Sequence, residues 1–144
     1  MRPLMPLMFA VLGACATQGT GNATGTARFP EFPTKVFAAL QRTCSKPAQQ
    51  YIRMSQNVAE CREYLEPEAT AAIILTYDGT TDDLPQLVLR MVAQADGPDG
   101  YLLTTNAYLD VPQKNQGAIQ VVYPSPHFER TLNRLYRQSG GVPQ

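Results

Sequence analysis

The chain has 144 residues, with 12 basic and 12 acidic side chains, a single histidine and no tryptophan. That length suits one domain with a modest core plus a short appendage. The balanced charge argues against a general nucleic-acid binder, which carries a positive excess, and no apolar run reaches the roughly 20 residues that take a helix across a bilayer.

Met1-Arg2-Pro3 is a short positive start, and Leu4 to Leu12 is an apolar stretch of nine residues, the length of a signal h-region. Leu12-Gly13-Ala14-Cys15 follows. This run resembles the lipobox of bacterial lipoproteins, in which a leucine and two small residues precede the cysteine. The resemblance implies that residues 1–14 are an export signal and that Cys15 becomes a lipid-carrying N-terminus. The chemistry accounts for the residue types: the thiol takes a diacylglyceryl group, and the peptidase needs small residues beside the bond it cuts. Ala16 stands where an inner-membrane retention mark would be Asp. The implied location is therefore the outer membrane, facing the periplasm, and the implied partner is the membrane itself. Two or more acyl chains anchor a protein stably where one holds it only marginally.

Residues 15–28 read as the lipidated cysteine and a flexible tether, since Thr17 to Ala27 is Gly, Thr, Asn and Ala with almost nothing to enter a core. Asn22-Ala23-Thr24 matches the glycosylation pattern by chance in such a context. A single domain is expected over 29–144. Pro33 and Thr34 suit a helix start, and Val36, Phe37, Leu40 and Cys44 share one face of a helix that ends before Pro47. Val58 to Leu65 is a candidate strand, placed at an exposed or edge position by Glu60, Arg62 and Glu63. Ala71 to Tyr77 puts Ile73, Leu75 and Tyr77 on one face of a strand, with a short helix opened by Pro67-Glu68 as the alternative.

Leu87 to Ala95 alternates cleanly, with Leu87, Leu89, Met91 and Ala93 on one face. Tyr101 to Val111 does the same through Leu103, Ala107, Leu109 and Val111. Asp96-Gly97-Pro98-Asp99-Gly100 between them predicts a hairpin. Ala118 to Tyr123 is a short last strand. Ser125-Pro126 reads as an N-cap and N1 proline, opening a helix that runs to about Ser139 and stops at Gly140-Gly141. Its apolar face holds Phe128, Leu132 and Leu135, with Arg130, Arg134 and Arg137 opposite.

The expected fold is α+β: two layers, an antiparallel sheet of four to five strands, and the N- and C-terminal helices packed on one face. Over roughly residues 33–139 this order of elements resembles the helix-grip domains of lipoproteins in the outer-membrane β-barrel assembly machinery, a likeness of order alone.

With Cys15 assigned to lipid, Cys44 and Cys61 remain, an even number in an oxidising compartment. A structural disulfide is expected, with two unpaired buried thiols as the alternative; the spacing does not resemble a redox C-x-x-C, and zinc would need more ligands. His127 beside Ser125 lacks the G-x-S-x-G turn of a hydrolase and reads as a surface histidine next to a cap. Asp78 to Asp83 lacks the ligand order of a calcium loop. No metal or cofactor is expected. Arg130, Arg134 and Arg137 are a candidate contact for anionic headgroups or an acidic partner, or else a solvated face. The seven tyrosines suit interfaces and half-buried strands equally. The functional expectation is a membrane-anchored, non-catalytic domain that binds another envelope protein. Alternatives are a ligand-binding or enzymatic cleft between helix and sheet, approached by His127, Asp110 or Asp78, and an inhibitor of a cell-wall enzyme acting through the Asp96–Gly100 loop.

Overall fold

The computed structural model describes residues 24–144. Cys15, the signal and most of the tether expected at 15–28 lie outside the described residues. In chain order the elements are β1 (Gly25–Phe29), α1 (Thr34–Thr43), β2 (Gln49–Ser55), β3 (Val58–Tyr64), α2 (Pro67–Thr76), β4 (Gln86–Ala95), β5 (Tyr101–Val111), β6 (Ile119–Val121), α3 (Pro126–Gln138) and β7 (Val142–Pro143). The fold is α+β. One seven-stranded sheet runs β2-β3-β4-β5-β1-β7 in space, with β6 beside the second half of β5. Every pairing is antiparallel.

The β4–β5 hairpin is the centre of the sheet, in register from Gln86↔Asp110 to Ala95↔Tyr101. Its turn closes as the Asp96 amide donates to the Gly100 carbonyl at 2.9 Å, with Gly97 at φ 77°. The sheet exceeds the expected four to five strands because three strands carry little signal. β1 lies inside the stretch read as tether; of its five residues only Ala27 and Phe29 are buried. β2 is polar and half-exposed along most of its length. β7 is two residues long.

Two other expectations are corrected. Val58 to Leu65 is not an edge: β3 pairs with β2 on one side and β4 on the other, and β2 is the edge strand. Of the charges that suggested exposure, Glu60 and Arg62 pair with each other, and Glu63 accepts from Gln49. Residues 67–76 are a helix, as the alternative reading had it, and not a strand. Pro67 at the first turn and an alanine-rich body favour it, and its apolar run has no period of two. Leu75 is 84% exposed there.

α1 and α3 both pack on one face of the sheet. Val36, Phe37 and Leu40 from α1 and Leu132 and Tyr136 from α3 meet Ala27, Phe29, Ala59, Met91, Ala93 and Leu103 in one core. Ser125 caps α3, accepting from the Phe128 amide at 3.3 Å. The helix ends through Gly140 at φ 89°. Gly141 is required next to it: a Cβ there would stand 2.4 Å from the Phe29 ring. Tyr136, absent from the expected apolar face, is fully buried, and its hydroxyl donates to Thr105 Oγ1 at 2.5 Å. Burial pushes its phenol up to about 12, and the Thr105 hydrogen bond only partly offsets this.

The Cys44–Cys61 disulfide is present, with Cα atoms 5.8 Å apart. It joins the C-cap of α1 to the second strand of the sheet, across the whole of β2. Closing a loop of this size is worth about 3 kcal/mol. The double variant Cys44→Ser/Cys61→Ser should therefore melt about 10 °C lower than the oxidised wild type in a calorimetric scan. Unchanged melting on reduction would contradict that role.

Tyr136 also sets an alkaline limit. Its proton is held more tightly folded than unfolded, so the folded state binds more protons between about pH 10 and pH 12. Stability is complete below about pH 10 and falls by about 2–3 kcal/mol as pH rises to about 12. Tyr136→Phe should flatten that alkaline limb in denaturant titrations at pH 8 and pH 11, while losing about 1–2 kcal/mol at neutral pH by stranding the Thr105 hydroxyl.

Candidate functional site

The helices are too short to roof the sheet. A ten-residue helix is about 15 Å long, whereas a ten-residue strand is about 33 Å. α1 and α3 cover the half of β4 and β5 around Ala93 and Leu103; in the other half Leu109 and Val111 are buried, but an opening remains above Leu87, which is 44% exposed. Two cross-strand rows floor that opening: Cys61, Leu89 and Ala107, then Glu63, Leu87 and Leu109. Cys61 and Ala107 are small, so the floor dips on either side of Leu89.

Leu40 and Thr43 from the last turn of α1 form one wall, and Ser125 and Phe128 from the first turn of α3 form the other. Tyr123 stands at the mouth, 58% exposed, and Leu87 on the floor is 44% exposed. The cleft holds about 400 Å³, within the range of small-ligand sites, about 300–1,000 Å³. It continues between α1 and α3 as a second lobe of about 380 Å³ that shares Leu40, Thr43, Leu89 and Phe128. The lining surface is largely apolar.

Polar groups sit at the rim. Gln49 Nε2 donates to Glu63 Oε2 at 2.9 Å. The Tyr123 and Tyr77 hydroxyls share a hydrogen bond of 2.5 Å, which pushes the Tyr123 phenol above its ordinary value. Thr24 has a structural task. β5 is flanked by β1 up to Thr105 and by β6 from Leu109 onward. The Ala107 amide falls in the gap between them, and Thr24 Oγ1 accepts from it at 2.7 Å.

The opposite face of the sheet is polar. Glu60, 1% exposed, accepts from Arg90 Nη1 at 2.6 Å and from Arg62 Nε at 2.8 Å, and Arg62 Nη1 also reaches Asp110 Oδ2 at 3.3 Å. Desolvation pulls the Arg62 guanidinium down, but the Glu60 hydrogen bond and the charges of Glu60 and Asp110 outweigh it and hold it above its ordinary value. Burial, then the same two carboxylates, pushes the Tyr108 phenol up. Two carboxylates and two guanidinia neutralise one another. Asn106 Oδ1, a cross-strand neighbour of Arg90, is buried without a hydrogen-bond partner.

The residues singled out in the sequence do not converge. His127 is exposed on α3, Asp110 belongs to the Arg62 network on the far face, and Asp78 pairs with Lys114 at 3.0 Å. Ser125 caps its helix at the cleft wall. Arg130, Arg134 and Arg137 are exposed on one face of α3, where with Asn133 and Gln138 they border a shallow hollow. Among the described residues none of the three takes part in an ion pair. Among the described residues, too, no helix is long and apolar enough to cross a membrane. The cleft itself has no motif. Its signal in the sequence is the mismatch between short helices and long strands, together with Ala107 and Cys61 beside Leu89.

Comparison with family models, with curated proteins and with solved structures returns no match.

Removing the carboxylate at Glu60 leaves two guanidinia facing each other. Losing one member of a buried ion pair costs about 3–5 kcal/mol, but Arg62 and Arg90 are 27% and 35% exposed and partly screened. Glu60→Ala should therefore lose about 2 kcal/mol in urea unfolding, with much of the loss recovered at high salt; a stability equal to wild type would show the network to be idle.

Proposed function

We propose that this chain is a lipid-anchored envelope lipoprotein whose domain is a non-catalytic binding module. Its occupant is an apolar segment of another envelope protein, seated in the cleft between α1, α3 and the sheet. The Leu12-Gly13-Ala14-Cys15 run supports the anchor at Cys15, and Ala16 supports outer-membrane sorting.

The observation that carries the binding role is the apolar cleft between the two helix ends and the sheet. Leu87 and Tyr123 are large, exposed and adjoin this cleft. Contiguous apolar surface of this kind marks a place where something binds. The rim hydroxyls, with Gln49 and Glu63, can meet the backbone of a bound segment, and the cleft floor can take its side chains. The two-lobed shape suits an extended chain better than a compact ligand. A small apolar ligand is the second reading, favoured by the volume of the main lobe.

Photo-crosslinkers placed at Leu87 and Thr43 in intact cells should capture a common protein. Leu87→Asp should abolish capture by the Thr43 probe while shifting stability by no more than about 1 kcal/mol, because the side chain is already 44% exposed. Capture that persists in the Asp variant would remove the cleft as the binding site. Recovery of a small lipophilic molecule by native mass spectrometry, with no crosslinked protein, would favour the second reading.

A further inference from the structure

We propose that the outer face of α3, formed by Arg130, Arg134 and Arg137, docks on the anionic surface of the membrane that holds the anchor. This rests on the reading of Cys15 as the lipidated residue.

The argument begins with where the chain leaves the domain. Gly25, the first residue of β1, lies directly beneath α3: a Cβ there would stand 2.8 Å from Leu132 Cδ2, and the Tyr136 hydroxyl lies 3.5 Å from its carbonyl oxygen. Thr24 borders the cleft beside Ser125 and Phe128, at the start of the same helix. Nine peptide steps separate Cys15 from Thr24. Even fully extended they reach only about 30 Å. A helix with its side chains is about 10–12 Å across. A domain held that close presents to the bilayer the side from which the chain emerges, and α3 is the helix against which Gly25 packs.

The chemistry of that side fits. At 100° per residue, Arg130, Arg134 and Arg137 fall within about 60° of one another. Asn133 and Gln138 flank them, and Glu129 points well away. All three arginines are exposed, and among the described residues they make no ion pair. Arg28 pairs with Asp96, Lys114 with Asp78, and Arg62 and Arg90 with Glu60. The α3 face gathers three exposed arginines with no carboxylate among them, a charge of the sign that anionic headgroups attract. An acidic protein surface would share the charge but gives no reason for the face to lie beside the exit of the tether.

The test uses the mature chain, residues 15–144, carrying Cys15→Ser, with the Cys44–Cys61 bond formed, so that vesicle binding is read without acylation and without the apolar stretch Leu4 to Leu12. Co-sedimentation is measured on vesicles of phosphatidylcholine alone and of phosphatidylcholine with phosphatidylglycerol. With the three arginines intact, binding should require phosphatidylglycerol and weaken in high salt. Arg130→Gln/Arg134→Gln/Arg137→Gln should lower it on the order of 100-fold, with an unchanged melting temperature. The corresponding triple lysine variant should retain most of it. Equal binding by the glutamine variant, or equal binding to neutral vesicles, overturns the proposal; crosslinking of this face to an acidic protein in cells would then assign it to that protein. Mass spectrometry of the natural N-terminus decides the anchor separately. An unacylated Cys15 removes the anchor and with it the reason for this face to meet a bilayer, whatever the vesicles show.

Discussion

The Cys44–Cys61 bond is the constraint on which the shape of the cleft depends. The last turn of α1 forms one wall of the cleft through Leu40 and Thr43. The disulfide pins that turn to the second strand, above the row of Cys61, Leu89 and Ala107. On the other side Ser125 fixes where α3 begins. The cleft is the distance between these two fixed helix ends. A core that could collapse would fill it; a covalent bond at one wall and a capped helix start at the other keep it open.

The sheet therefore has two unlike faces. One is apolar and only partly covered. The other is polar and electrically closed, because Glu60 lies between Arg62 and Arg90, and Asp110 completes the balance. Such a face leaves little charge unbalanced, whereas the cleft face leaves Leu87 in water. The internal pairing also explains how a glutamate is buried in the middle strands of the sheet at modest cost: each of its oxygens has a guanidinium donor, which is the condition under which a buried carboxylate is tolerated.

Much of the fold was legible in the sequence, and the reasons are local. β4 and β5 alternate over ten or more residues and are joined by a strong turn, so periodicity and turn chemistry agree. α3 has both its cap and its glycine stop. The cysteine pair was legible from counting. β1 and β2 were not, since their pairing is decided by neighbours distant in the chain: β1 inserts between β5 and β7 with only two buried side chains, and β2 is held through Tyr51 and its tie to β3. α2 misled because an apolar run of that length carries no period, and its helical state follows from Pro67 and alanine content. Glu60, Arg62 and Glu63 suggested an edge because charge usually means water; here the first two pair along one strand, and Arg90 joins Glu60 from the next. Of the candidate site, Leu87 and Leu89 were seen as an apolar face, but nothing in one strand tells how far a helix reaches over it.

The placement of β1 has a mechanical consequence. This strand is the first of the described elements, and it is paired on both sides, to β5 over five residues and to β7. Its hydrogen bonds run perpendicular to its length. Tension applied at the N-terminal end along the strand is shared by all of those bonds at once, as in shear, and cannot open them one after another. A domain tied to a moving or stretched surface by this end would keep its cleft intact under load.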